Sequence, residues 1–116
     1  MKMLGNIGNL AQLLRQAKDV QQKLGEVQRK LSAMTVEASA GGGMVAVVAN
    51  GHQEILSVKI DPAAVNAAEV ELLEELVLAA VNAARKKAEA LAREEMSGVA
   101  QQLGLPEGFK LPGASP

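Results

Sequence analysis

The sequence lacks several residue types on which whole classes of protein depend. Its 116 residues include no cysteine, tryptophan or tyrosine and one phenylalanine. Without cysteine the chain forms no disulfide and no thiolate metal site, which fits a reducing cytoplasm. No run of about 18 apolar residues occurs, so the sequence predicts no membrane span. The core must therefore be built from Leu, Val, Ile, Met and Ala, which with the single Phe make up the 48% hydrophobic content.

Catalytic and metal-binding patterns are also missing. His52 is the only histidine and follows an Asn-Gly turn, so we interpret it as an exposed turn residue. Gly41, Gly42 and Gly43 are followed by a strand-like segment instead of the Gly-Lys-Ser/Thr of a phosphate-binding loop. They predict a turn with positive φ angles. The sequence therefore favours a binding protein over an enzyme and predicts no cofactor and no metal. A small hydrolase is the remotest alternative.

Charge is distributed unevenly along the chain. The net charge is −1, and the sequence pI is about 5.8. Residues 1–34 carry six basic against two acidic side chains, a net of +4, whereas residues 69–116 carry five against eight, a net of −3. Any surface that binds an anionic partner must therefore be local, and its most basic segment is the first one.

The first segment has the clearest periodicity. Apolar residues alternate at spacings of three and four, as in the a/d positions of a heptad, at Leu10, Leu13, Ala17, Val20, Leu24, Val27, Leu31 and Met34. This pattern predicts a long helix whose apolar seam packs on a partner helix, from the same chain or from a second copy. Gly25 lies within it at a cost of roughly 1 kcal/mol relative to Ala, and would permit a bend or a close backbone approach.

The period changes after residue 34. Val36, Ala38 and Ala40 alternate with polar residues, and the glycine triplet then precedes a Val-rich run at residues 44–49. Asn50-Gly51, the strongest short hairpin signal, precedes a third run at residues 55–60, in which Leu56, Val58 and Ile60 share a face. The sequence predicts a three-stranded antiparallel meander.

A second long helix is expected after Asp61-Pro62. Asn66 is a candidate cap, the apolar stripe runs from Leu73 to Leu91, and the helix is expected to end near Ser97, at Gly98 or Gly104. The expected fold is α+β, in the order α-β-β-β-α, over residues 1–104, with a flexible Gly/Pro-rich tail at 105–116. An open sheet edge and an unpaired helical seam predict a homodimer.

Four stretches of the chain match a known family in the family's order. They are LLRQAKDVQQKLGEVQRKL, GGGMVAVVANGHQEILSVKIDP, LLEELVLAAVNAARKKAEALAREEM and GLPEGFKLPG. In them the sequence resembles the YbaB/EbfC family of bacterial nucleoid-associated DNA-binding proteins. The resemblance implies a tweezers-like homodimer that binds double-stranded DNA in the cytoplasm, at the nucleoid. It also implies roles in chromosome organisation and gene expression, without catalysis.

Basic side chains on the two helices are the candidate DNA contacts. The first helix offers Arg15, Lys18, Gln22, Lys23, Arg29 and Lys30, and the last helix offers Arg85, Lys86 and Lys87. Without aromatic side chains on which bases could stack, we expect duplex DNA bound mainly through phosphates. The acidic average keeps a second hypothesis open, a dimeric scaffold or adaptor for a protein partner in DNA repair or replication.

Overall fold

The computed structural model describes residues 2–104, and side chains from Gly8 onward. Along the chain, a long helix precedes a three-stranded sheet and a second long helix follows it: α1 (Lys2–Ala33), β1 (Thr35–Ala40), β2 (Val45–Asn50), β3 (Ile55–Ile60) and α2 (Val70–Gln102). The strands lie in the order β1-β2-β3 and are antiparallel throughout. The predicted α-β-β-β-α fold is confirmed, with α1 beginning earlier than the heptad.

Helix α2 packs on the sheet through alanine. Ala80, Ala84 and Ala88 are fully buried and lie against Val45 and Val47, which are fully buried too. Small side chains at this spacing let the helix backbone approach the sheet closely, so a core without aromatic residues still closes. The glycine triplet turns the chain between β1 and β2 with φ values of 65°, 66° and 94°, as predicted.

The helix covers only part of the sheet. Residues of β1 and β2 that face α2 are buried or half-buried, whereas every residue of β3 is exposed. Val58 pairs with Val47 and Ile60 with Val45, so both point to the same side of the sheet as α2. Leu56 is the extra residue of a β-bulge. Within the described residues, the apolar side of the edge strand therefore has no cover.

The second half of α1 packs on the end of α2. Val27 and Leu31 form a buried cluster with Met96 and Val99. Helix α2 runs antiparallel to β1 and α1, because the position of Gly41 lies against Leu76 near the start of α2 while Lys30 pairs with Glu95 near its end. The predicted seam thus finds its partner helix within the chain, but only from Leu24 onward. Every residue from Gly8 to Asp19, a segment called the arm below, is exposed.

The turn between β2 and β3 is docked on the C-terminal end of α1. The Gly51 amide donates to the carbonyl oxygens of Leu31 at 2.8 Å and Met34 at 3.1 Å. A Cβ on Gly51 would lie 2.7 Å from the Leu31 carbonyl oxygen. Gly51 is not among the residues with a positive φ; in this turn that backbone conformation belongs to Gln53, at 65°. Gly51 is therefore needed for its close approach to α1 and not for its backbone angle.

Two expectations about α2 require correction. The helix does not end near Ser97: it passes through Gly98 and ends at Gln102, so of the two glycines expected to end it, Gly104, with a φ of 70°, is the one that does. Its last turns continue because Met96 and Val99 are buried against α1. Asn66 caps a short 3-10 helix, Ala67–Glu69, by accepting from the Ala68 amide, and α2 begins after it. The expected tail at 105–116 lies outside the described residues.

Replacing Gly25 with Ala should stabilise the fold by roughly 1 kcal/mol, because a mid-helix Gly costs about that much relative to Ala. A Cβ there would meet only Arg29 Nη1, at 3.6 Å, which is ordinary contact. The matched control is Gly51→Ala, which should destabilise the fold because its Cβ meets the backbone of α1. Urea unfolding measures both, and a destabilised Gly25→Ala would show that α1 needs Gly25 for a bend or a close contact.

Candidate nucleic-acid interface

Four of the predicted DNA contacts form one stripe on α1. Arg15, Lys18, Gln22 and Arg29 fall within an arc of about 60°, given 100° per residue in a continuous α-helix. All four are exposed, and the stripe lies opposite the apolar seam. None of the three cations takes part in an ion pair among the residues that the structure describes. The stripe is therefore a continuous cationic surface open to solvent.

The other two cations of α1 have acidic neighbours. Lys23 Nζ lies 3.6 Å from Glu26 Oε2, between two well-exposed side chains, so this ion pair contributes little to stability. Lys30 Nζ donates to Glu95 Oε2 at 3.0 Å. That bond joins α1 to α2, and it gives Lys30 a structural partner that competes with any phosphate.

The predicted group on α2 does not form a single patch. Arg85, Lys86 and Lys87 are consecutive, so their side chains leave the helix about 100° apart. Lys87 Nζ donates to the Glu37 carbonyl oxygen at 2.8 Å and so lies against β1. Arg93 pairs with Glu89 one turn away. Arg85 and Lys86 are exposed and join no ion pair within residues 8–104.

The two basic groups lie far apart along the molecule. Lys30 and Glu95 are level with each other, and the helices run in opposite directions from there. Fifteen residues separate Arg15 from Lys30 and nine separate Lys86 from Glu95. At 1.5 Å per residue, Arg15 and Lys86 are about 36 Å apart along the axis. One phosphate cluster cannot contact both.

The remaining candidate residue from the sequence is His52. His52 is exposed at the β2–β3 turn, as predicted, and its Nε2 lies 2.9 Å from the Gln28 carbonyl oxygen. Within residues 2–104, no three His, Asp or Glu side chains converge as metal ligands would. In the same part of the chain, neither helix carries an apolar stretch that would suffice to span a membrane.

An apolar groove beside β3 was not predicted from the sequence. It measures about 450 Å³ and is lined by Ile60, Val70, Leu73, Glu74, Val77, Leu78 and Val81. Val70 and Leu78 are 50% and 62% exposed, and Val58 beside the groove is 45% exposed. The sequence feature that could have indicated the groove is the width of the apolar stripe on α2. Apolar residues at 70, 77, 78 and 81 extend this stripe beyond the face that the alanines bury.

These features define a small α+β protein with a projecting helix, a basic stripe on that helix and an uncovered apolar face. The sequence matches the model of the YbaB/EbfC DNA-binding family over residues 6–103. The chain belongs to this family, which is a family of DNA-binding proteins and not a class of enzymes.

Individual relatives agree with the family match. A nucleoid-associated protein of Granulibacter bethesdensis is 49% identical over 104 residues, covering 90% of this chain and 97% of that protein. A nucleoid-associated protein of Syntrophobacter fumaroxidans is 48% identical over 100 residues, covering 86% and 90%. The crystal structure of an uncharacterized Helicobacter pylori protein has the same fold, with a TM-score of 0.65 at 22% identity, covering 80% of this chain and 94% of that one.

Removing the Lys30 charge should cost stability, whereas removing the Lys18 charge should not. Lys30→Met keeps most of the aliphatic stem but loses the bond to Glu95, for an expected loss of about 0.5 kcal/mol at low salt. Lys18→Met makes the same chemical change on the exposed stripe but loses no ion pair, so it should cost less than Lys30→Met and show no loss that high salt removes. Urea unfolding at low and high salt compares them, and an equal loss in both variants would contradict the assignment of Lys30 as structural.

Proposed function

We propose that the chain binds double-stranded DNA as a homodimer, mainly through phosphates, and that it organises the chromosome and modulates gene expression. The observation that carries the proposal is the unpaired cationic stripe of Arg15, Lys18 and Arg29 on α1. The relatives' description as nucleoid-associated supports a cytoplasmic place at the nucleoid. Each cation brought to a phosphate releases a counterion, so binding should be strongly salt-dependent.

The surface around the stripe favours duplex backbone over bases. Side chains that stack on unpaired bases are usually aromatic, and no described residue is aromatic, since the chain's one aromatic residue is Phe109. The separation of about 36 Å between the two basic groups is close to one helical turn of B-DNA, which is roughly 34–36 Å. The α2 cations Arg85 and Lys86 therefore suit phosphates one turn away from those that the stripe contacts.

The uncovered apolar face supports the homodimer. Ile60 of β3 and Val70 and Leu78 of α2 line the groove, and Val58 lies on the same face of β3 as Ile60; all four are exposed. The same patch on a second copy would fill the groove and cover the open edge strand, as an interface with twofold symmetry requires. We therefore propose that the dimer contact lies on the β3 side of the sheet, with one basic stripe on each protomer.

The groove also supports the second hypothesis, that the protein is an adaptor for a protein partner in DNA repair or replication. An exposed apolar patch of this kind equally suits a protein partner, and the net charge of −1 weakens non-specific attraction to DNA. The two functions separate experimentally. An adaptor would bind no duplex even at about 50 mM salt, where phosphate contacts are strongest.

We expect Arg15→Ala/Lys18→Ala/Arg29→Ala to weaken duplex binding and flatten its salt dependence. Three lost phosphate contacts should reduce the slope of log K against log salt by about 2.7 per protomer. Fluorescence anisotropy of a labelled duplex across a salt series measures both quantities.

A control that removes other cations accompanies that series. Lys59→Ala/Arg93→Ala removes two cations that are not among the proposed contacts, one on β3 and one already paired with Glu89, and should change the slope little. Wild-type affinity and slope in the triple variant would refute the stripe as the DNA contact. Absence of wild-type binding at about 50 mM salt would refute DNA binding itself.

The dimer assignment predicts that Val58→Lys yields a monomer, because it places a charge on the face that the second copy covers. Ser57→Lys adds the same charge on the opposite face of the same strand, where Ser57 pairs with Val48, and should stay dimeric. Light scattering at micromolar concentration distinguishes them, with circular dichroism to confirm folding. If Val58→Lys is folded and still dimeric, the dimer interface does not lie on this face of β3.

A further inference from the structure

The arm, residues 8–19 of α1, carries apolar side chains that no other residue within 8–104 covers. Leu10, Leu13 and Leu14 are 56%, 60% and 62% exposed. They are closely spaced on one side of the helix, with Ala17 one turn further on. Helices without tertiary contacts are marginal in water, since most of their stability comes from packing an amphipathic face. The arm has no such contact with the described part of the chain, so its apolar side calls for a partner beyond those residues.

The apolar side of the arm continues a seam that already pairs helices. Leu10, Leu13 and Ala17 occupy the same a/d positions as Leu24, Val27 and Leu31, which pack on α2 further along α1. Helix α2 ends at Gln102, and the residue that follows it, Leu103, still packs on the cluster around Val27 and Leu31. The apolar seam of α1 is therefore longer than the part of it that packs on α2, and the arm is the part left over.

Charges beside the seam differ between its two halves. Beside the paired half, Lys30 flanks the seam and meets Glu95 of α2. Beside the arm, the flanking e and g positions hold Asn9, Leu14 and Gln16, none of which is charged, and the first charged flank is Lys23, beyond the arm. A partner chosen by opposite charge would need ions here. Pairing with an identical arm is favoured when the flanking positions carry no charge, because charges of one sign would repel each other between two copies.

We propose that the arm is a second self-association surface, on which the apolar sides of two arms from different dimers pack together. The pairing is antiparallel, which aligns the helix dipoles favourably and keeps the two sheet bodies at opposite ends. Arg15 and Lys18 then point away from the contact on both sides. In its use of the dimer as the unit that associates, this inference rests on the proposed function.

Sedimentation velocity of the full chain without DNA tests the pairing. Wild type should show a concentration-dependent species heavier than the dimer. Leu10→Gln/Leu13→Gln should weaken that association by about tenfold or more, the usual effect of losing buried interface anchors. Ala11→Gln places the same polar side chain on the same helical turn but off the seam, and should leave the association unchanged. Absence of a heavier wild-type species, or conversion of the leucine variant to monomer, overturns the proposal.

The absence of native cysteine gives a second test. In an antiparallel pair a residue at an a position, such as Leu10, faces one at a d position, such as Leu13, of the other helix. A mixture of Leu10→Cys and Leu13→Cys chains should therefore form a covalent pair between copies on oxidation. A mixture of Leu10→Cys with Gln12→Cys, on the opposite side of the helix from the seam, should not. The pair between Leu10→Cys and Leu13→Cys should persist in the Val58→Lys background, because the arm contact is independent of β3. Loss of the pair in that background would place the arms within one dimer and overturn the proposal. The proposed function is tested apart: Leu10→Gln/Leu13→Gln adds no charge and should keep affinity for a short duplex within about twofold.

Discussion

The docking of the β2–β3 turn on the end of α1 is the contact on which the rest of the structure depends. Gly51 donates to the Leu31 and Met34 carbonyl oxygens, two groups left open at the end of the helix. Beside it, the buried Asn50 side chain accepts from the His52 and Glu54 amides and donates to Glu54 Oε1 at 2.8 Å. These bonds hold the helix that carries the arm and the basic stripe at a set angle to the sheet.

A core made of small side chains explains the shape of the chain. Ala80, Ala84 and Ala88 let α2 lie close over β1 and β2, but one helix packed so closely covers only two strands of three. The third strand and the outer flank of α2 remain apolar and exposed. A chain of this size buries little surface alone, so an apolar face left open on the edge strand favours assembly.

Function in this protein depends on where unpaired charges lie, since the protein as a whole is slightly acidic. Lys30 and Lys87 are bonded to groups of the fold itself, whereas Arg15, Lys18 and Arg29 are free of ion pairs in the described chain. Because the stripe lies opposite the seam, contacts between helices do not compete with contacts to phosphate. One helix can therefore serve assembly on one side and an anionic partner on the other.

The sequence by itself determined the element order, the strand faces, the glycine turn and the stripe on α1, because each depends on local periodicity or backbone geometry. Only the tertiary structure decided that α2 continues to Gln102, that Lys30 and Lys87 are bonded within the fold, and that the seam is paired from Leu24 onward and open before it. The uncovered face of β3 also belongs to this second group. These outcomes depend on which elements meet across long sequence separations, and periodicity within one element carries no record of its neighbours.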